Sequence, residues 1–206
     1  MTNPQPRNAD TRKSPPSKLV IISGPSGVGK TTVLKSLFAT CPIALIPSVS
    51  ATTRPQRPGE TAGVSYHYLS DEEFQRRREN DDFLECVEVF GRGHWYGTLR
   101  EPVATSLKEG KWIVLEVDVV GAAKVLRYYP DAISIFIHPG SLEELERRLR
   151  GRGTESEAAL IRRLEVASAE LKASANYKHI VFNLSVDQTA TDICHILQQV
   201  EKQLNV

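Results

Sequence analysis

From Leu19 onward the chain alternates short runs of consecutive apolar residues with longer segments whose apolar positions recur at helical spacing. Two runs are unbroken, Leu19-Val20-Ile21-Ile22 and Trp112-Ile113-Val114-Leu115; two more strand-like stretches, Ile133-Ser134-Ile135-Phe136-Ile137 and His179-Ile180-Val181-Phe182-Asn183, include Ser134, His179 and Asn183. Strands that are apolar without a break suit a sheet buried on both faces. The segments between them predict helices over 31–38, from Pro102 to Gly110, around 120–128, over 141–150, over about 155–173 and from Asp187, as a cap, to about 203. Ser70 with Glu73, Ser141 with Glu144, and Thr154 with Glu157 have the spacing of capping boxes, so helices should open there. Strands alternating with helices imply a mostly parallel sheet flanked by helices, an α/β class.

Residues 48–97 break this rhythm. Val64 to Leu69 alternates like a strand, and Phe83 to Phe90 alternates again, with Phe83, Glu85, Val87 and Val89 on one side. Gly91-Arg92-Gly93 reads as a turn and His94 to Thr98 as the returning strand. A small β-rich insert without a large core of its own is expected.

The strongest chemical signal lies between the first run and the first helix: Gly24-Pro25-Ser26-Gly27-Val28-Gly29-Lys30-Thr31, followed by Thr32. Strand, glycine-rich loop, helix is the context of a phosphate-binding P-loop. Glycines allow successive backbone N–H groups to converge on an anion, and the following helix points its unpaired N–H groups at the same place. Lys30 can reach β- and γ-phosphate oxygens, and the Thr31 hydroxyl can stand on Mg²⁺. The chain therefore binds a nucleoside triphosphate, and the acceptor has to be found elsewhere in the sequence.

Composition narrows the field. The net charge of +1 over 206 residues gives no global basic field for nucleic acid. No apolar run approaches the roughly 18 residues of a membrane span. Cys41, Cys86 and Cys194 are odd in number and widely spaced, with no metal-type pair and no disulfide framework, so reduced thiols in the cytoplasm are expected. Residues 1–17, with Pro4, Pro6, Pro15 and Pro16, read as a disordered tail; a transit peptide is disfavoured because the prolines break any amphipathic helix.

Two arginine sets are candidates for further phosphate contacts. Arg54 and Arg57 stand three apart on a loop stiffened by Pro55 and Pro58, and guanidinium groups match phosphate oxygens bidentately. Arg147, Arg148, Arg150 and Arg152, with Arg162 and Arg163, form the second set around Gly151 and Gly153, which suits a lid; a solvated face paired with Glu143, Glu144 and Glu146 is the plainer reading.

In GPSGVGKTT, SVSATTRPQRPGE, WYGT, LEVDVVGA, RRLRGRGTES and the later IRRL, the chain resembles guanylate kinase, a P-loop nucleoside monophosphate kinase family, from about Lys18 to the C-terminus. The resemblance implies conversion of GMP and ATP to GDP and ADP with Mg²⁺. It implies an ATP site over Gly24 to Thr32 with Arg148 and Arg152, and a GMP site of Ser50, Arg54, Arg57, Tyr66, Glu85, Tyr96, Thr98 and Asp118. Arg54, Arg57, Tyr66 and Tyr96 would hold the GMP phosphate; Ser50, Glu85, Thr98 and Asp118 would surround the guanine. Lys30, Arg54, Arg148, Arg152 and Arg163 would carry catalysis, and Thr31 the metal, with Glu116 acting through water. A carboxylate at Glu85 can accept from guanine N1 and N2, and the hydroxyl of Ser50 or Thr98 can donate to O6.

The implied organisation is a P-loop core of 18–47, 98–140 and 170–206, a GMP-binding subdomain of 48–97 and a lid of 141–169. Three departures stand out: Glu116 where the family usually has aspartate, a longer turn between Glu85 and Tyr96, and a late strand ending Phe182-Asn183-Leu184-Ser185. No residue plainly reads the ribose 2′ position, which leaves dGMP open, and nothing sets an oligomeric state. Two alternatives also stay open. A guanylate-kinase-like binding module would bind phosphopeptide without turnover, and a sugar-phosphate kinase would share the phosphate arginines without the base-reading set.

Overall fold

A computed structural model describes residues 18–88, 93–151 and 157–204. The expected tail, Val89 to Arg92 of the insert, Arg152 and the start of the third capping box lie outside these residues. The centre of the molecule is a five-stranded parallel sheet. Its strands are β1 (Leu19–Ser23), β2 (Leu45–Pro47), β7 (Trp112–Glu116), β8 (Ile133–His138) and β9 (His179–Phe182), in the order β2-β7-β1-β8-β9. The middle strand β1 explains the unbroken apolar runs. Val20 and Ile22 join a cluster with Val33 and Leu37 of α1 (Lys30–Thr40) and Ile193 and Leu197 of α7 (Val186–Leu204). Leu19 and Ile21 face the other way, against Val103 of α3 (Arg100–Lys108) and Val125 of α4 (Val119–Tyr128). A strand covered on both faces has no polar side.

The insert forms a second sheet. Its strands are β3 (Ala51–Thr52), β4 (His67–Tyr68), β5 (Phe83–Glu88) and β6 (Trp95–Leu99), in the order β4-β3-β6-β5, with α2 (Asp71–Glu79) against it. Phe74, Phe83, Leu99 and Ala51 fill a small core there, with Phe74 and Phe83 stacked at 4.5 Å between ring centroids. The strand expected over 64–69 is reduced to β4, because Gly63 to Ser65 are taken up by turns.

The expected alternation along Phe83 to Val87 fails for a definite reason. The register shifts between Phe83 and Glu85, so Phe83 and Cys86 both face the insert core while Leu84 alone reaches the core beneath α4. Glu85 is therefore not on Phe83's side. A β-bulge re-aims one side chain in this way.

Two helices complete the chain, α5 (Leu142–Arg150) and α6 (Glu157–Lys172), followed by a 3₁₀ turn at Ala173–Asn176. The capping boxes form in half: Ser70 and Ser141 accept from the amides of Glu73 and Glu144, at 3.1 and 3.2 Å. The two glutamates turn to Arg76, Arg77, Arg147 and Arg148 instead of reaching back. Asp187 lies inside the first turn of α7, where it accepts from Ser36 at 3.1 Å, and so is not the cap. Cys41 and Cys194, far apart in sequence, meet between α1 and α7 as free thiols. None of the described helices is long and apolar enough to cross a membrane.

Candidate active site

The phosphate loop leaves the C-terminal end of β1, where ligands of open parallel sheets gather. Gly24, Gly27 and Gly29 all have positive φ, and close approaches leave no room for side chains. A Cβ on Gly24 would run into the Ile137 carbonyl oxygen, and one on Gly27 would lie 2.5 Å from Leu149 of α5. Pro25 accepts from the Val28 amide at 3.2 Å, closing the tip, and Gly29 caps α1 with its carbonyl accepting from Thr32 and Val33. Lys30 donates to the carbonyls of Gly24 (2.7 Å) and Pro25 (3.3 Å). Burial lowers its pKa, opposed by the carboxylates of Glu116, Glu170 and Asp118.

Thr31 is exposed and donates to Glu116 Oε1 at 3.0 Å. Glu116 ends β7, the neighbour of β1, so the longer side chain still reaches the hydroxyl. Thr32 is exposed on the first turn of α1.

The arginine run of α5 divides. Arg147 and Arg150 are spent on surface pairs with Glu144, Glu146 and Glu157. Arg148 instead reaches the loop. Its guanidinium donates to Glu144 Oε1 (2.7 Å), the Val28 carbonyl (3.2 Å) and the Asn183 carbonyl (2.6 Å). Asn183 is buried just past β9, donates to Val28 (2.7 Å) and accepts from Thr189, so its amide serves the loop. Arg163 of α6 donates to Ser26 Oγ at 2.8 Å, while Arg162 is exposed. Arg152 lies outside the described residues.

Arg54 is buried, an unusual state for a guanidinium, and it is held from several sides. It donates to Tyr96 Oη (3.0 Å), the Pro55 carbonyl (2.7 Å) and Glu60 Oε1 (2.8 Å), and its guanidinium carbon lies 5.5 Å from the Tyr66 ring centre. Glu60 also accepts from the Arg57 amide (2.9 Å) and the Tyr68 hydroxyl (2.7 Å). Those donors hold its carboxyl at about 2, the Arg54 bond foremost. Arg57 therefore enters the cluster through its backbone, and the residue is exposed. Glu60 and Tyr68 were not among the expected residues. The signal was present in the Gly59-Glu60 pair, but an exposed-looking loop glutamate does not announce its partners.

Glu85 is 7% exposed and accepts from Thr98 Oγ1 at 2.7 Å. β5 and β6 place Glu85 opposite Thr98 and Val87 opposite Tyr96, so the longer turn does not disturb this register. Burial pushes the Glu85 pKa up, the Thr98 bond opposes this, and Asp118 adds to the rise. Asp118 caps α4, accepting from the Gly121 amide at 2.6 Å. The packing around Gly121 is tight, and a Cβ there would lie 3.1 Å from Glu85 Oε2 and 3.2 Å from Asp118 Oδ1. Ser50, at the entry to β3, is half-buried, and its carbonyl accepts from His67.

A family model described as guanylate kinase matches residues 16–200. The chain belongs to the guanylate kinase family. It is 54% identical over 205 residues to the guanylate kinase of Rhodopirellula baltica, covering 98% of this chain and 97% of that one. It is 46% identical over 176 residues to the guanylate kinase of a Nostoc species, covering 85% and 87%. The crystal structure of guanylate kinase from Anaplasma phagocytophilum superposes with a TM-score of 0.67 at 30% identity, covering 90% of this chain and 87% of that one. A guanylate kinase with this α/β core transfers the γ-phosphoryl group of ATP to GMP, giving ADP and GDP.

Proposed function

We propose that the phosphate loop and the insert divide this reaction between them, the loop gripping ATP and the insert presenting GMP. The observation that carries the assignment is Asp118. Its charge acts on Lys30 in the loop and on Glu85 in the insert, so the two clusters lie within electrostatic reach of one carboxylate. In this reading the core is 18–47, 98–140 and 170–206, the acceptor subdomain 48–97 and the lid 141–169.

Arg54, with Tyr96 and Tyr66, takes the GMP phosphate; Arg57 swings in from its exposed position. A guanidinium already bonded to Glu60 keeps its orientation while donating onward, so little ordering remains for binding. Glu85 accepts from N1 and N2 of guanine. Thr98 has one hydroxyl proton, and it goes to Glu85, so the donor to O6 is Ser50 and not Thr98. Adenine would set a lone pair against the Glu85 carboxylate, and a site built for donors rejects an analogue lacking them by roughly 10⁴-fold.

Lys30, Arg148 and Arg163 neutralise charge on the ATP phosphates and on the transferring group. Lys30 leaves the carbonyls of Gly24 and Pro25 for phosphate oxygens. No general base is needed, because the acceptor is already a phosphate oxyanion. Thr31 and Glu116 offer an oxygen-only donor pair beside the loop, which suits Mg²⁺ retaining its waters. When bound there, the ion would neutralise charge on the β- and γ-phosphate oxygens.

A coupled ADP-release assay across GMP, AMP, UMP and ribose bisphosphates tests the assignment. Turnover with GMP at least 10³-fold above the others in kcat/KM is expected. Faster turnover with AMP, or with a sugar phosphate, overturns the base-reading set.

A further inference from the structure

Glu170 stands on α6, seven residues and two helical turns after Arg163, so the two side chains share one face of the helix. Both address the same residue of the phosphate loop. Arg163 donates to Ser26 Oγ at 2.8 Å, and the Ser26 amide faces the Glu170 carboxylate. The carboxylate is half-buried, and Oε2 is shielded from solvent with no hydrogen-bond partner among the described residues. Its surroundings include the Lys30 ammonium and, unfavourably, the Asp118 carboxylate. The hydroxyl of Tyr177, packed on Phe136, also lies within its field.

A carboxylate oxygen withdrawn from water without a donor is costly, and a helix that only needed solubility would leave this position to alanine or lysine. The arrangement makes sense if the carboxylate serves the loop. Ser26 occupies the tip, where the Pro25–Val28 turn closes, and the Glu170 charge acts on the P-loop lysine.

We infer that Glu170 is a positioning residue for phosphoryl transfer: with Arg163 it forms a two-point clamp on Ser26, amide and hydroxyl, that sets the arginine against the phosphate loop. This rests on the assignment of Arg163 to the transferring phosphate. The clamp acts by geometry. With both points made, α6 cannot rotate relative to the loop tip without breaking one of them. With the carboxylate point lost, α6 is free to shift against the loop tip, and the Arg163 guanidinium it carries is displaced by a fraction of a side chain. Misplacement of about 1 Å in a charge-stabilising group costs on the order of 10²-fold in rate.

The test is a cycle of Glu170→Ala, Arg163→Ala and the double variant, with Glu170→Gln as the conservative control. Initial rates are measured with ATP and GMP each varied, and folding is checked by thermal melting. The expected result for Glu170→Ala is a fall of at least 10-fold in kcat with KM for ATP changed less than about 3-fold, because the clamp serves the transition state more than ground-state binding. Glu170→Gln keeps an oxygen toward the Ser26 amide and should recover most of that loss. The double variant should be no slower than Arg163→Ala alone, since both changes remove one device. Additive losses in the double variant, or kcat for Glu170→Ala within 2-fold of wild type, overturn the clamp. Equal damage from Gln and Ala also overturns it, since charge and not position would then be at work. If Arg163→Ala itself leaves kcat intact, the fault lies instead in the assignment of Arg163.

Discussion

Glu85→Gln separates the cost of a buried carboxylate from its use. The carboxylate is 7% exposed, accepts one bond from Thr98 and feels Asp118 nearby. In the GMP complex it accepts from two donors of the base. Glutamine keeps one acceptor and turns its amide NH₂ toward the other donor. One charge-assisted bond is lost, at about 1.5–3 kcal/mol, and a donor is left facing a donor, at a further 1–3 kcal/mol. A total of about 2.5–6 kcal/mol corresponds to a fall of about 10²- to 10⁴-fold in kcat/KM for GMP. The stability effect runs the other way. Burial raises the folded-state pKa of Glu85 above its unfolded value, so the ionised form disfavours folding. Wild-type stability from this group is greatest at low pH and is lost as pH rises from the unfolded toward the folded pKa. Glutamine removes that loss, so the nucleotide-free variant should melt higher at pH 8 than the wild type. The gain should vanish below the ordinary carboxylate range. GMP binding needs the ionised form, so wild-type kcat/KM for GMP should fall on the acid side as Glu85 protonates. The ionisation of the GMP phosphate is common to both proteins; the wild-type profile divided by that of the variant isolates Glu85. A variant that uses GMP within 3-fold of wild type, with an unaltered GMP to AMP ratio, would refute the role given to this carboxylate.

Lys30→Ala should lower kcat by about 10³-fold or more while the melting temperature stays within a few degrees, because the ammonium is placed against developing phosphate charge; near-normal kcat would remove it from the transition state. Glu60→Gln should raise KM for GMP about 10-fold with a smaller change in kcat, since Arg54, the Arg57 amide and Tyr68 all lean on that carboxylate; an unchanged KM would mean that Arg54 is held well enough by Tyr96 and Pro55. Gly97→Ala should destabilise the protein by about 1–3 kcal/mol in denaturant unfolding, because the new Cβ would lie 2.8 Å from the Phe83 ring and 2.9 Å from the Glu85 carbonyl oxygen. Wild-type stability in that variant would mean that the β5–β6 pair yields easily.

The sequence by itself determined the elements and the phosphate loop. Unbroken apolar runs such as Leu19 to Ile22 and Trp112 to Leu115 suit the interior of a parallel sheet, and Gly24 to Thr31 between a strand and a helix admits little other chemistry. Both are local patterns, in which the residue type at a given spacing carries the physics. What the sequence could not carry were pairings set by register and crossing. The bulge between Phe83 and Glu85 turned an alternating pattern by one position, and nothing in Phe-Leu-Glu-Cys announces it. The arginines of α5 look alike as letters, yet only the side chain on the loop-facing side, Arg148, reaches the Val28 and Asn183 carbonyls. Glu60, Tyr68 and Glu170 were invisible for the same reason: a carboxylate or phenol acquires a role only when folding brings a donor within about 3 Å, and the donors lie in other segments. Asp118 shows both sides at once. The resemblance carried by LEVDVVGA implied a place for it beside the guanine, but only the packed structure made it the cap of α4, the neighbour of Glu85 and a charge felt by Lys30.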